Sequence, residues 1–257
     1  MGVFSRILVG VDGTDWGFEA LRQSLVLAAE DAVVRAVTAL DTAPALHTGL
    51  QAARFSDLLA HEAAEARKTA ESILAGRAQS EARVEPGKPV DVLRRERDEL
   101  GATAVALGGR RSSRFLGIVL GDTGTELVHD AVCSVLLAYP PSDGEWRPER
   151  IVVGLDSSSY ARDALATADE IAERFGGTVE VVSATGGEAV DREAAWAARV
   201  QSWDPANPVE ALVTRSKTAD LVVVGSRGTR GVATLGSVSE RVAHEAHCTA
   251  LIVHDPR

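Results

Sequence analysis

Five residues between Gly225 and Ser237 have types and spacing suited to gripping an anion. In ADLVVVGSRGTRGVATLGSVSE, Ala219 to Glu240, an apolar β-branched run ends at Gly225; Gly228 follows three positions later, and Gly236 adjoins Ser237. Glycine has no Cβ, so backbone N–H groups at such positions approach a phosphate oxygen closely. Arg227 places a cation between the first two glycines. A helix starting at Gly236-Ser237 would turn its positive end toward the same anion. The competing reading is structural: Gly225 and Gly228 as ordinary turn glycines, Ser237 as a helix N-cap with Glu240 completing a capping box.

A second pair of residues carries the other half of that chemistry. Asp12 and Asp156 each close an apolar run, in RILVGVDGT and RIVVGLDSS, where a carboxylate accepts hydrogen bonds from a ribose or an adenine amino group or caps the following helix. A phosphoacceptor role for Asp12 is weak, because no aspartate ends the third strand of the same repeat. His244, His247 and Cys248 lie close in sequence, but the matching segment keeps only His129 and Cys133, which favours structural roles over metal ligation. The basic GGRRSSRF, Gly108 to Phe115, reads as a solvated or salt-bridged turn, and RRERDE as one exposed helix face. No nucleophile elbow, Walker lysine or paired general acid and base is present, so catalysis is not expected.

The elements that must position these residues come in two copies. RILVGVDGT returns 144 positions later as RIVVGLDSS, GKPVDVL returns as ANPVEAL, TAVALGGR as ADLVVVGSR, and HDAVCSVLLA as HEAHCTALIV, all in the same order. The proline-bearing YPPSDGEWRPER, Tyr139 to Arg150, separates the copies as a linker, giving expected domains at 1–140 and 147–257. Within the first copy the periodicity predicts strands at Ile7–Val11, Val33–Leu40, Ala82–Glu85, Ala104–Leu107 and Val135–Tyr139. Helices are predicted at Asp15–Glu30, Asp57–Ala75, Val90–Leu100 and Thr123–Ala131. Such alternation is α/β, with two repeated doubly wound five-stranded parallel-sheet domains, whose ligands sit beyond the carboxyl ends of the strands where strand order reverses. The second copy is shortened: Thr38 to Pro89 spans 51 positions, the matching Ser183 to Pro208 only 25. That side should be thinly covered.

Composition sets the outer bounds. The chain has 257 residues, 45% of them hydrophobic, enough for a large core. A formal charge of −10 disfavours a general nucleic-acid surface. Two cysteines are too few for a disulfide framework, no run approaches membrane-spanning length, and no basic, apolar leader precedes the first strand. The expectation is a cytoplasmic protein with no membrane partner.

The strand ending in Val-Asp-Gly-Thr or Leu-Asp-Ser-Ser, the Gly-x-Pro step, the VVVGSRG strand end and the Gly-Ser helix start resemble the universal stress protein family in its tandem form. The resemblance covers nearly the whole chain. It implies the adenine-nucleotide alpha-hydrolase-like fold and, in ATP-binding members, a Gly-x2-Gly-x9-Gly-Ser/Thr signature with an Asp ending strand one. Carried over, Asp156 and Ala184 address the adenosine, Gly225, Arg227 and Gly228 approach ribose and phosphates, and Gly236 with Ser237 receives the distal phosphates of ATP, with magnesium accompanying it. In the first copy Asp12, Ala39, Gly108 and Gly121 hold the corresponding places.

Neither copy keeps the whole signature. Seven residues rather than nine separate Gly228 from Gly236; the first copy keeps the nine-residue gap but has Arg111 for the second glycine and Asp122 for the hydroxyl residue. These departures make the second copy the better site and suggest that Arg111 fills the first copy's anion hollow. The expected function is that of an ATP-binding, non-catalytic stress regulator acting on an unknown protein partner. The alternative is a degenerate scaffold working by protein contact alone. Family members commonly pair through their last strands, so an internal pseudo-dimer between Val135–Tyr139 and Ala250–Val253 is expected, with a homodimer as a further step.

Overall fold

The computed structural model describes residues 3–43, 51–111, 118–119, 122–129, 132–141, 144–184, 186, 193, 195–226 and 237–254. Its first half runs β1 (Phe4–Gly10), α1 (Asp15–Leu27), β2 (Ala28–Leu40), α2 (Ala52–Leu74), β3 (Glu81–Pro86), α3 (Pro89–Leu100), β4 (Ala104–Gly108), β5 (Arg110–Arg111), β6 (Ile118–Val119), α4 (Asp122–His129) and β7 (Ser134–Ala138). The second half runs β8 (Arg150–Gly154), α5 (Ser159–Phe175), β9 (Thr178–Ala184), a 3-10 turn (Ala195–Arg199), β10 (Ser202–Asp204), α6 (Pro208–Arg215), β11 (Leu221–Gly225), α7 (Ser237–Glu245) and β12 (Thr249–Val253). The expected doubly wound α/β class is what forms.

Ten strands make one sheet in the order β10-β9-β8-β11-β12-β7-β4-β1-β2-β3, while β5 and β6 form a separate antiparallel pair. Among the described residues each half of the large sheet is parallel throughout, and its only antiparallel neighbours are β7 and β12. Parallel strands are covered on both faces, so they read as continuous apolar runs rather than alternating ones. Accordingly Leu221, Val222, Val223 and Val224 of β11 are all buried.

Helix starts and stops follow from local chemistry. Thr14 and Ser158 cap α1 and α5, their hydroxyls accepting from Gly17 N at 3.3 Å and Ala161 N at 3.1 Å. Pro89 and Pro208 open α3 and α6, where a missing N–H is harmless. Gly101 ends α3 in the left-handed region, at φ 58°.

Several boundaries differ from expectation: α2 begins at Ala52 rather than Asp57, and at the end of α1 the kind of structure itself changes. Helix α1 stops at Leu27, and β2 begins at Ala28 instead of Val33. Ala28 pairs with Phe4 and Val33 with Arg6, so a bulge absorbs the intervening residues. Ala-Ala-Glu-Asp has good helix-forming members, but pairing with β1 overrides that preference.

The seam between the halves is apolar and buried on both faces. Leu136 and Ala138 of β7 join the core on one face with Leu251 and Val253 of β12; Val135 and Leu137 join the core on the other with Ala250 and Ile252. Leu251 stands opposite Leu136 in the ladder. At one end, Ser134 Oγ accepts from His254 N at 3.1 Å; at the other, Thr249 Oγ1 accepts from Tyr139 N at 3.0 Å and donates to Gln23 Oε1 at 2.7 Å. Buried Gln23 in turn donates to the Tyr139 carbonyl at 2.8 Å. The segment expected as a linker is pinned as well: Trp146 is buried, and its indole N–H donates to Asp220 O at 3.1 Å.

Candidate functional site

The strand ends converge as the residue spacing implied. Asp12 follows β1, Ala39 lies near the end of β2, and Gly108 closes β4; all three line one cavity of about 490 Å³. Buried Val37, Leu93 and Leu107 supply apolar wall. Asp41, Glu62 of α2 and Gly124 of α4 complete the parts that matter chemically. The cavity sits at the carboxyl ends of β1 and β4, next to the point where chain order reverses across the sheet.

Each aspartate has a local task. Asp12 Oδ1 accepts from Thr14 N at 3.1 Å, and Asp156 Oδ1 accepts from Ser158 N at 2.9 Å. The carboxylates therefore shape the turns that deliver Thr14 and Ser158 as the caps of α1 and α5, and neither aspartate is itself the cap.

The strand-end glycines also have a local cause. A Cβ on Gly108 would stand 2.4 Å from the Trp16 carbonyl carbon, and one on Gly225 would stand 2.4 Å from the Tyr160 carbonyl oxygen. Both distances are far inside van der Waals contact, so only glycine lets the first turn of α1 or α5 lie this close to the strand. The same need arises at the same place in both halves, without any ligand.

In the second half Ala184 ends β9, half-buried and in register with Asp204 of β10. Gly225 ends β11, and Ser237 opens α7, of which the backbone alone is described. Arg227, Gly228 and Gly236 lie outside the described residues, as does Gly121 of the first half; Arg111 and Asp122 are placed by backbone only, in β5 and at the start of α4. The proposed filling of the first anion hollow by Arg111 therefore falls outside what is described.

Two lining groups were absent from the sequence expectations. Asp41 reaches the cavity as the residue directly after β2, and Glu62 because α2 packs over β2 and β3, a tertiary arrangement that periodicity does not reveal. Among the described residues the second half has only the 3-10 turn at Ala195–Arg199 in place of α2. Trp196 and Trp203 meet there, ring centroids 6.0 Å apart.

The cysteine segment is structural in its surroundings. Burial pushes the Cys133 thiol up to about 11 and the Cys248 thiol up to about 12. Both remain protonated, which suits small apolar residues better than thiolate ligands. No cluster of three metal-ligating side chains occurs among the described residues.

The profile of the universal stress protein family matches residues 4–138 and 198–254. The chain belongs to this family. The profile passes over 139–197, yet β8, α5 and β9 there repeat the order of β1, α1 and β2. A universal stress protein of Mycobacterium tuberculosis is 28% identical over 186 residues, covering 60% of this chain and 62% of the relative. One of Mycobacterium bovis is 31% identical over 183 residues, covering 59% and 61%. The matched stretch thus spans less than two thirds of these relatives. A crystal structure of a universal stress protein from Archaeoglobus fulgidus superposes with a TM-score of 0.75 at 20% identity, covering 97% of this chain and 98% of that one, and shares the fold.

Proposed function

We propose that this universal stress protein binds an adenine nucleotide and acts as a regulator without a strong catalytic site. The observation that carries the reading is the cavity of about 490 Å³ joining Asp12, Ala39 and Gly108 at the carboxyl ends of their strands. That volume lies in the range of small-molecule pockets, and its apolar wall beside a few polar groups suits a purine ring and a ribose. Asp12, Asp41 and Glu62 are anionic, so a bare triphosphate is poorly matched to this mouth; magnesium, held by such carboxylates and the phosphates, would supply the missing positive charge. In the second half Asp156, Ala184, Gly225, Arg227, Gly228, Gly236 and Ser237 form the second candidate site, with the fuller set of phosphate-binding residue types. A cytoplasmic setting and an unidentified protein partner complete the proposal.

Titration calorimetry with ATP, with and without magnesium, tests it. Ala39→Trp should fill the first cavity and Gly228→Val should obstruct the second site, each lowering affinity at its own site about tenfold or more, roughly 1.4 kcal/mol. Loss of signal in one variant assigns the site. Absence of binding by the unmodified chain rejects the nucleotide reading. A second reading then stands, the scaffold acting by protein contact, and one observation favours it: the close approach of α1 and α5 accounts for Gly108 and Gly225 with no ligand.

A further inference from the structure

One ion pair recurs in both halves with its polarity reversed. In the first half Arg35 of β2 donates from Nη1 to Glu96 Oε2 of α3 at 3.0 Å. In the second half Arg215 of α6 donates from Nε to Glu180 Oε1 of β9 at 2.9 Å. These are matching positions: Arg35 stands opposite Leu8 of β1, and Glu180 opposite Val152 of β8. Glu96 and Arg215 are each the eighth residue of a helix opened by proline, Pro89 and Pro208. The strand carries the cation in one half and the anion in the other.

Each pair is knitted to its own edge strand. Arg35 Nε donates to Glu81 of β3 at 2.8 Å, while Arg83 of β3 lies 3.6 Å from Glu96. Arg215 donates to Asp204 of β10 and to Ser202 Oγ, both at 2.8 Å. Arg35 and Glu96 are buried; Arg215 and Glu180 are partly exposed.

We infer that this reversal is a sorting device that stops the two homologous halves from exchanging their β-α-β units. The segments β1-α1-β2 and β8-α5-β9 are interchangeable by topology, since each supplies a central strand, a crossover helix and the next strand. Exchange between such repeats, within a chain or between two chains, is a characteristic failure of repeated domains. A hybrid half built from β1-α1-β2 and α6 would face Arg35 with Arg215, and Asp204 is already engaged by Arg215. The complementary hybrid would face Glu180 with Glu96, beside Glu81 and Glu99, with Arg83, among the described residues, the one cation left shared by those three first-half carboxylates. Either hybrid puts a like charge against one buried member of the first pair. Discrimination of this kind comes from repulsion in the wrong assembly as much as from attraction in the right one.

The test uses the full chain refolded from urea over a range of concentrations, with mass read by size-exclusion chromatography and light scattering. Glu180→Arg with Arg215→Glu, in an Asp204→Ser background, keeps a pair in each half but gives both the same polarity. Asp204→Ser alone is the matched control. The uniform variant should yield roughly tenfold more slowly dissociating exchanged dimer than its control, the factor that about 1.4 kcal/mol of preference sets. Ser158→Ala weakens the same half through the α5 cap without touching polarity, and it should not raise the dimer yield. Should the uniform variant fail to refold, Glu180→Gln with Arg215→Gln removes the like-charge penalty from the hybrids and should itself raise exchange above the unmodified chain. The inference is overturned if uniform and neutral variants refold as the unmodified chain does, or if Ser158→Ala raises exchange as much as they do.

Discussion

Gly108 and Gly225 show how a residue that looks like a ligand contact acquires a structural cause. Each is the point where a helix N-terminal turn lies against a strand end, and a single methyl group would overlap backbone atoms that cannot step aside. Gly108→Ala and Gly225→Ala should each destabilise the fold by about 2–3 kcal/mol, the upper range for overpacking, whether or not nucleotide is added. Urea unfolding of both variants, with and without ATP, measures this. The two thiols make a prediction of opposite chemical kind. Burial raises Cys133 to about 11 and Cys248 to about 12 from an ordinary 9.0, so their contribution is complete below that ordinary value and is lost as pH rises through the raised ones. The unmodified chain should lose stability above pH ~9 with up to about 1.4 kcal/mol per pH unit for each thiol. Cys133→Ala with Cys248→Ala should flatten that part of the profile, and an unchanged slope would show that the thiols are not its source.

The elements divide into those readable in the sequence and those set by their neighbours. Apolar runs closed by Asp or Gly locate β1, β4, β8 and β11, because strands covered on both faces have no polar alternation to confuse the pattern. The starts of α1 and α3 are readable to within a residue, next to the capping hydroxyl of Thr14 and to Pro89. The start of β2 was not readable: Ala28 to Asp31 has helical composition, and only pairing with Phe4 makes it extended. The same contrast divides the site. Asp12, Ala39, Gly108 and Asp41 are strand-end positions and follow from topology; Glu62 reaches the cavity through packing of α2 across a segment that sequence spacing cannot fold. Capping supplies the test at this scale. Ser158→Ala removes the acceptor for Ala161 N and should cost about 1 kcal/mol in urea denaturation, whereas Ser158→Asp should retain most of it. Equal losses in the two variants would mean that the hydroxyl does more than cap.

At the scale of the molecule the β7–β12 pairing turns two sheets into one. Its interior is apolar on both faces, and its ends are closed by side chains, Ser134 to His254 and Thr249 to Tyr139 and Gln23. Thr249→Val should cost about 1–3 kcal/mol, because it strands the buried Gln23 amide oxygen and the Tyr139 N–H while preserving shape. Gln23→Leu together with Thr249→Val removes the stranded amide oxygen but also takes the Gln23 donor from the Tyr139 carbonyl, so the double variant should lose less than the sum of the two single losses without returning to the unmodified stability. A thermal melt of the single and double variants decides, and additive losses would count against coupling across the seam.

Because β7 and β12 run antiparallel while every other neighbouring pair in the large sheet is parallel, the carboxyl ends of the two sets of strands point in opposite directions. The two candidate sites consequently open at opposite poles of the sheet. A small ligand seated at one pole would have no direct contact with a ligand at the other; any communication would have to cross the β7–β12 pairing that joins the halves. A macromolecule that engaged both would have to reach around the molecule, whereas two separate partners could bind together without colliding at the sites. Occupants of the two candidate sites would therefore sit one at each end of the sheet.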